Sequence, residues 1–545
     1  MRSATEPRKN HGKEVHRMCQ TARAQLLVLL LGVALLLSAG PAAFAAPRLP
    51  LPARAEGEGP YTRLILRGAM VIDGTGAPAV GPVDVVIAGN RIAEVVVVGA
   101  PGVTIDPADR PKTDGGREID VTGMYVLPGF IDLYTPANAP AEYMAKLWLG
   151  HGITTIRDPH CTDGFEGCLE LRRRSAANEI TLPRYEPDVR FGSGGAPPTD
   201  AATARRWVAA AARHKDVGIR FRGERGDLVL AALEEAERLG VRTSCHHFPD
   251  TGVRETARRG LDLLEHWHGL PEALFTDRTV PDLPPDFNAL DEQQRFAQSG
   301  RLWKQAAPPG SAAWDELIRE LAGRGLTLAP TLSLYEANRD LMRATGAEWH
   351  RQYTLPSVWD SFTPDRTRHA AHFFYWTTDD EIAWRENYRL WLAFVNEYKN
   401  RGGRVAVASD AGFMYNLHGF SFVREMELLR EAGFHGLEVI RAATLAGAEA
   451  LGRASEIGSI APGKLADLVI VAENPLVNLK VLYGTGALKV GDDNRPARTG
   501  GIRYTVKDGI VYDAARLRAD VRRMVAEAWA REGRRIALPG LDETP

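Results

Sequence analysis

The chain has 545 residues, more than one hydrophobic core accommodates, so two or more domains are expected. Apolar residues make up 44% and charged residues 25%, which excludes a disordered or fibrous chain. Lys plus Arg total 67 against 69 Asp plus Glu, and no long run of one sign occurs, so composition offers no electrostatic basis for a nucleic-acid partner.

Residues 1–45 read as a targeting segment. Arg2, Arg8, Lys9, Lys13, Arg17 and Arg23 precede an apolar run at 26–39, and Ala43-Phe44-Ala45 has the small-residue form of a cleavage site. The run is shorter than the ~20 apolar residues of a spanning helix. The expectation is a signal peptide, a secreted or periplasmic mature chain, and no stable membrane insertion after cleavage. An uncleaved anchor is the alternative, and Met18 is an alternative start. Of the four cysteines, Cys19 leaves with the signal. In an oxidising compartment Cys161 and Cys168 either close a small disulfide loop or stand as two thiols. Cys245 falls in a segment that reads as a buried strand.

Next come short β-strands at 64–66, 70–72, 83–88 and 91–98, with Gly89-Asn90 as a hairpin signal. The same texture returns at 468–471 and 502–506, where Asp508-Gly509 turns the chain into 510–511. Residues 61–128 and 453–512 are therefore expected to form one composite β-sandwich domain. Between them, 129–452 alternates strands and helices: strands at 153–156, 241–245, 261–264, 326–332 and 405–408, helices at 228–239, 253–259, 314–322 and 381–398. Such repetition predicts an α/β unit with a parallel sheet, and periodicity leaves a closed barrel and an open sheet equally available. The stretches 271–312 and 335–379 are long for connections and read as lids over a site. Residues 513–545 are a last helix and tail; Leu517, Val521, Met524, Val525 and Ala528 share one face, which predicts docking on the fold.

Three polar residues stand where strands end: His246 after 241–245, His266 after Glu265, and Asp410 after Ser409. In a (β/α)8 barrel the C-terminal strand ends converge on one face. Two imidazoles and a carboxylate there suit one divalent, zinc-like ion. Such an ion acidifies water, and a carboxylate can move its protons.

Several motifs together resemble the amidohydrolase superfamily, especially its imidazolonepropionase-like and Xaa-dipeptidase-like members. Val126-Leu127-Pro128-Gly129-Phe130-Ile131-Asp132 is similar to the family's entry into barrel strand one, and Gly152-Ile153-Thr154-Thr155-Ile156-Arg157-Asp158 to its second strand. The segment from His246 to Leu264-Glu265-His266 resembles the strand-five and strand-six histidines, and Ala408-Ser409-Asp410-Ala411-Gly412 the strand-eight Asp motif. Ala442-Ala443-Thr444 and Gly458-Ser459-Ile460-Ala461-Pro462-Gly463-Lys464-Leu465-Ala466-Asp467-Leu468-Val469 resemble the return into the family's small β-sandwich. The resemblance runs from about residue 64 to 512. It implies an α/β (β/α)8 TIM-like barrel beside a small β-sandwich.

Two departures qualify it. Family members continue strand one with His-x-His; here the residues are Tyr134-Thr135-Pro136, which offer no such ligand. Many members carry a carboxylated Lys at the end of strand four, and the residue here is Arg220, which forms no carbamate and repels a cation. The resemblance then implies a reduced, single-metal site: His246 and His266 as ligands, Asp410 as acid/base, with His160, Glu186, Asp188 and His247 as further candidates. Arg220 reads either as a clamp for a planar anion or as a salt bridge across the barrel mouth. Tyr134 and His418 are candidates to face the substrate, and Glu425 also fits the family pattern. Trp267, His268, Tyr335, Phe373, Phe374, Tyr375 and Trp376 supply aromatic surface for a ligand or for ordinary packing.

The expected function is an exported hydrolase of amide-type, non-peptide or dipeptide C–N bonds acting on a small-molecule substrate, with a homo-oligomer left open. A catalytically inactive barrel kept as a binding protein is the alternative, and a metal-free enzyme is a third.

Overall fold

The computed structural model describes residues 51–161, 164–214, 217–246, 251–288, 290–364 and 376–537. The expected signal peptide, His247, Phe373, Phe374 and Tyr375 lie outside the described residues.

The first β-rich stretch forms β1 (Leu64–Val71), β2 (Val80–Ala88), β3 (Arg91–Val97), β4 (Arg117–Asp120) and β5 (Tyr125–Pro128). The barrel strands follow: β6 (Phe130–Asp132), β7 (Ile153–Asp158), β8 (Arg184–Arg190), β9 (Gly218–Phe221), β10 (Thr243–Cys245), β11 (Leu263–Glu265), β12 (Thr327–Ala329) and β13 (Arg404–Val405). The chain closes with β14 (Leu468–Val471), β15 (Leu488–Val490), β16 (Pro496–Arg498), β17 (Ile502–Lys507) and β18 (Ile510–Asp513).

Strands β6 to β13 form one sheet in sequence order, and every neighbouring pair is parallel. Helices between the strands cover its outer face, as parallel pairing requires. The two edges then meet. Just past β6, Leu133 donates its N–H to the Val407 carbonyl at 3.0 Å, and Asp410 donates to the Tyr134 carbonyl at 2.8 Å. This curling brings all strand C-termini around one centre.

The other large sheet runs β18-β17-β14-β5-β1-β2-β3, with β4 alongside β1. It thus joins strands from both flanks of the barrel, around Leu64, Leu66, Val85, Ile87, Val126, Leu468, Ile470 and Val506. Gly129 links β5 to β6 because nothing larger fits: a Cβ there would lie 2.1 Å from Oγ1 of Thr154 on β7. Buried charges also tie the two sheets. Arg184 at the start of β8 pairs with Asp467 and Asp508, and Lys507 donates to the Ser175 carbonyl at 2.9 Å.

Several expectations are corrected in detail. The strand expected at 326–332 stops at Ala329, and Leu332–Arg339 is a helix. The strand expected at 405–408 shrinks to Arg404–Val405; beyond it Ala406 still donates to the Leu328 carbonyl at 3.0 Å, but Val407 donates to Ala442 instead, also at 3.0 Å. The long stretches 271–312 and 335–379 contain short helices, among them Glu292–Ser299, Leu302–Gln305 and Pro356–Phe362. The last helix, Ala514–Glu532, buries Leu517, Val521, Val525 and Trp529, while Met524 and Ala528 pack at the edge of the core. No helix among the described residues is long and apolar enough to cross a membrane.

Candidate active site

Strand ends carry the site. His246 follows β10, where its N–H bonds the Phe221 carbonyl at 3.0 Å and extends the β9–β10 ladder by one residue. His266 follows β11 and donates its N–H to Ala329 at 3.0 Å. The two imidazoles meet edge to face with centroids 4.6 Å apart. Asp410 enters from beyond β13, its Oδ2 3.9 Å from His266 Nδ1. The three expected residues therefore come together.

Local hydrogen bonds set their chemistry. Thr331 gives its hydroxyl proton to the Pro330 carbonyl at 2.6 Å, so its Oγ1 accepts from His266 Nδ1, also at 2.6 Å. That holds the His266 proton on Nδ1 and makes Nε2 the lone-pair atom. Nδ1 of His246 and Oδ1 of Asp410 are buried without a hydrogen-bond partner among the described residues. Burial pushes Asp410 well above the usual carboxylate range, against the lowering pull of Arg220. Burial also pushes His246 well below the ordinary imidazole value, aided by His266 and Arg220, so it is a neutral base with an available lone pair. Asp132 accepts the Ser409 N–H at 2.9 Å and the Ser409 hydroxyl at 2.6 Å, which fixes the segment carrying Asp410. Backbone strain gathers at the same place: His266, Thr331 and Asp410 have φ of 64°, 53° and 45°, a region non-glycine residues enter at a cost of order 1–3 kcal/mol.

Beneath these residues lies a buried ionic network. Arg157 donates Nε–H to Asp188 at 2.8 Å and an Nη–H to Glu265 Oε1 at 2.7 Å. Arg220 donates Nε–H to Glu265 Oε2 at 2.7 Å, Nη–H to the Tyr134 hydroxyl at 2.8 Å, and Nη–H to His160 Nε2 at 2.6 Å. Arg242 holds the other oxygen of Asp188 at 2.7 Å. Of the two readings of Arg220, the salt bridge is the observed one, since three internal partners already occupy it. His160 spends Nε2 on Arg220, and Asp188 spends its oxygens on guanidiniums. Glu186 is paired with Arg453 and Arg172 instead. His418 points at the Pro136 carbonyl, 3.1 Å away, and packs edge-on against Trp148. Trp267 is buried among Tyr335, Trp384 and Trp391, which is packing. His268 bonds the Tyr335 hydroxyl at 3.1 Å.

Sequence reasoning assigned no role to Arg157, Glu265, Thr331 or Asp132. Arg157 had a usable signal, a lone cation closing an apolar strand; its partners, far away in sequence, had none. Cys161 and Cys168 form a disulfide with Cα atoms 6.0 Å apart, directly after His160.

As a metal centre, His246, Glu265 and His266 present ligand atoms within 4.8 Å of one another. Both Glu265 oxygens are taken by guanidiniums, whereas Asp410 Oδ1 and His246 Nδ1 are buried and unpartnered. A set of two neutral imidazoles and one carboxylate fits a single divalent ion. Arg220 is charge-compensated by Glu265, so its repulsion of such an ion is reduced but not removed.

Comparisons with known proteins bear on the family and on the fold. The amidohydrolase family model matches residues 391–511. Adenine deaminase of Methanoculleus marisnigri is 41% identical over 131 residues, a segment that spans 22% of each chain. A Xaa-Pro dipeptidase solved with methionine in its active site aligns with a TM-score of 0.54 at 18% identity, covering 83% of this chain and 100% of that one. The bottromycin amidohydrolase aligns with a TM-score of 0.58 at 18% identity, covering 88% and 92%. The fold is thus that of these solved hydrolases, and over residues 391–511 the family model bears out the resemblance read from the motifs.

Proposed function

We propose that this protein is a hydrolase of amide-type C–N bonds in small molecules, non-peptide or dipeptide, working with one divalent ion rather than two. The observation that carries this is the convergence of His246, His266 and Asp410 with two buried, unpartnered ligand atoms. His246 and His266 would hold the ion, zinc being the natural match to imidazole ligands. When bound, it supplies Lewis acidity and acidifies water. The chain's own groups do the rest. Asp410, whose backbone N–H is held by the Tyr134 carbonyl, would in its ionised form take a proton from water and return it to the leaving nitrogen. The Tyr134 hydroxyl accepts from Arg220, so its own proton is directed elsewhere, towards a substrate carbonyl. Burial keeps that phenol protonated. The strained φ values at three strand ends favour a maintained site over a decayed one.

A second reading has one specific observation behind it. The Arg157–Asp188–Glu265–Arg220 network satisfies itself, as an inactive binding barrel would allow. Export is also proposed, supported by the charge and cleavage pattern of residues 1–45 and by the disulfide.

Metal analysis of the purified protein, beside a His246→Ala/His266→Ala double variant, tests the main reading. About one zinc, iron or manganese per chain, lost in the variant, is the expected result. No metal after reconstitution sinks it and leaves the binding protein.

A further inference from the structure

The loop that carries Asp410 is folded against the preferences of its own residues. Between 410 and 416, Asp410, Met414 and Tyr415 take φ of 45°, 46° and 64°, a region that costs a non-glycine residue energy and that a bulky side chain rarely enters. Gly412, at φ 99°, suits its place: a Cβ there would lie 2.1 Å from Oδ1 of Asn138. Two backbone bonds close the loop, from the Gly412 N–H to the Asn416 carbonyl and from the Asn416 N–H to the Phe413 carbonyl, both at 2.8 Å. At its start, Asp410 donates its N–H to the Tyr134 carbonyl and brings Oδ2 to 3.9 Å from His266 Nδ1.

Glycine or asparagine would hold the turn at 415 with less strain, so the tyrosine there serves through its side chain. Its ring is buried against His350, Trp359 and Phe362, with centroids 6.2, 5.5 and 5.4 Å away. Its hydroxyl adds nothing to that hold, being buried without a hydrogen-bond partner among the described residues. The segment carrying the three aromatic partners is itself fixed from the far end of the chain. In the helix Ala514–Glu532, Trp529 gives its Nε1–H to the Thr354 carbonyl at 2.9 Å, and Arg522 gives an Nη–H to the Tyr353 hydroxyl at 2.6 Å. Just past that helix, Arg534 pairs with Asp360 at 2.8 Å, and the Ala537 carbonyl accepts from Trp359 Nε1 at 3.2 Å.

We infer that Tyr415 is a positioning residue for Asp410: its clamped ring holds the loop in the strained turn that sets the carboxyl beside His266. This rests on the reading of Asp410 as the acid/base and adds the device that keeps it in place. Strain of this kind persists only where the surrounding packing over-determines it. Here the packing is a relay, from the last helix and the residues after it, through 350–362, to the Tyr415 ring. The last helix, docked on the fold, therefore bears on the candidate site without touching it.

Hydrogen exchange of the full chain tests this, read by mass spectrometry over peptides covering 408–417, with peptides from 64–88 as the internal reference. Tyr415→Phe keeps the ring and drops the idle hydroxyl, so exchange at 410–416 should stay within about twofold of the native rate. Tyr415→Gly suits the backbone but removes the ring, and Trp359→Ala removes one wall of the clamp. Each should speed exchange at 410–416 by about tenfold or more and leave 64–88 unchanged. Turnover of an identified amide substrate should fall by about tenfold or more in kcat for Tyr415→Gly, at a KM within about twofold of native, and be retained in Tyr415→Phe. A native rate of exchange in Tyr415→Gly or Trp359→Ala, a Tyr415→Phe rate as fast as that of Tyr415→Gly, faster exchange spread equally over 64–88, or a change in KM alone would each overturn the inference. The exchange readout needs neither metal nor substrate, so a failure of the hydrolase reading leaves it standing and the two proposals fail separately.

Discussion

Glu265 is the residue on which the barrel centre turns. Its two oxygens face Arg157 and Arg220, and all three side chains are buried. Replacing it with Gln leaves two buried guanidiniums short of a counter-charge. Removing one partner of such a pair costs about 3–5 kcal/mol, so Glu265→Gln should lose about that much in urea unfolding at pH 7; a loss within ~0.5 kcal/mol, the range of ordinary surface substitutions, would deny the network its structural role. Asp410→Asn makes the contrasting case. That side chain has an unpartnered oxygen and raises the cost of its own burial, so the amide should leave stability level or slightly higher. Turnover of an identified amide substrate should fall by ~10²–10⁴-fold, the range of a lost general acid/base. His246, His266 and Asp410 were legible from sequence because polar residues ending apolar strands stand out. The pairing of Arg157 with Glu265 was not, because 108 residues separate them and nothing local joins them.

At the scale of elements, the helix Leu332–Arg339 begins without a cap from its own first residue, since Thr331 lies in a left-handed conformation and spends its hydroxyl elsewhere. Glu425, on the helix Phe420–Ala432, supplies the cap from a distance: it accepts the Leu332 N–H at 2.8 Å and the Ser333 N–H at 2.6 Å. Burial holds its carboxyl up at about 8 despite both bonds. Glu425→Ala strands two buried donors, and at about 1–3 kcal/mol for each unsatisfied group the expected loss is ~2–6 kcal/mol by chemical denaturation. Because Thr331 orients His266, the same variant should also weaken metal uptake. A second element-scale prediction concerns the loop beyond β7. Intact-mass analysis without reductant should find the Cys161–Cys168 bridge, two hydrogens lighter than the dithiol; closing so short a loop contributes of order 2 kcal/mol. Sequence left that bridge open, since spacing alone does not bring two sulfurs together.

For the whole molecule, buried histidines away from the site oppose folding as the solution becomes acid. His151, at the end of the helix Ala141–Gly150, is held down at about 3 by burial. His350 is held at about 4 for the same reason. Each stays neutral in the native state while the unfolded chain takes a proton near 6.5. Below that value the unfolded state binds more protons, so stability falls as pH drops from about 6.5 towards 4 and 3, by ~1.4 kcal/mol per unit for each group. Asp132, Glu425 and Asp410, whose carboxyls burial holds up, act in the opposite sense, so the histidine contribution is read by difference: between pH 7 and 5 the urea midpoint of His350→Gln should fall less, or rise more, than that of the native protein. An unchanged slope would mean that His350 titrates normally in the folded protein.

Composition, strand texture at both ends and the alternating middle determined an α/β chain with a parallel sheet, because hydrophobic periodicity records local burial directly. Motif spacing determined that three polar residues end neighbouring strands, and that the strand-one and strand-four positions carry Tyr134 and Arg220. Tertiary structure alone decided that the sheet curls until its edges meet, that Arg220 is saturated by Glu265, Tyr134 and His160, and that Glu186 pairs with Arg453 and Arg172 while Asp188 pairs with Arg157 and Arg242. These are facts of through-space charge pairing. Coulomb attraction acts between side chains that the fold brings together, and the sequence carries no record of those distances until the barrel has closed.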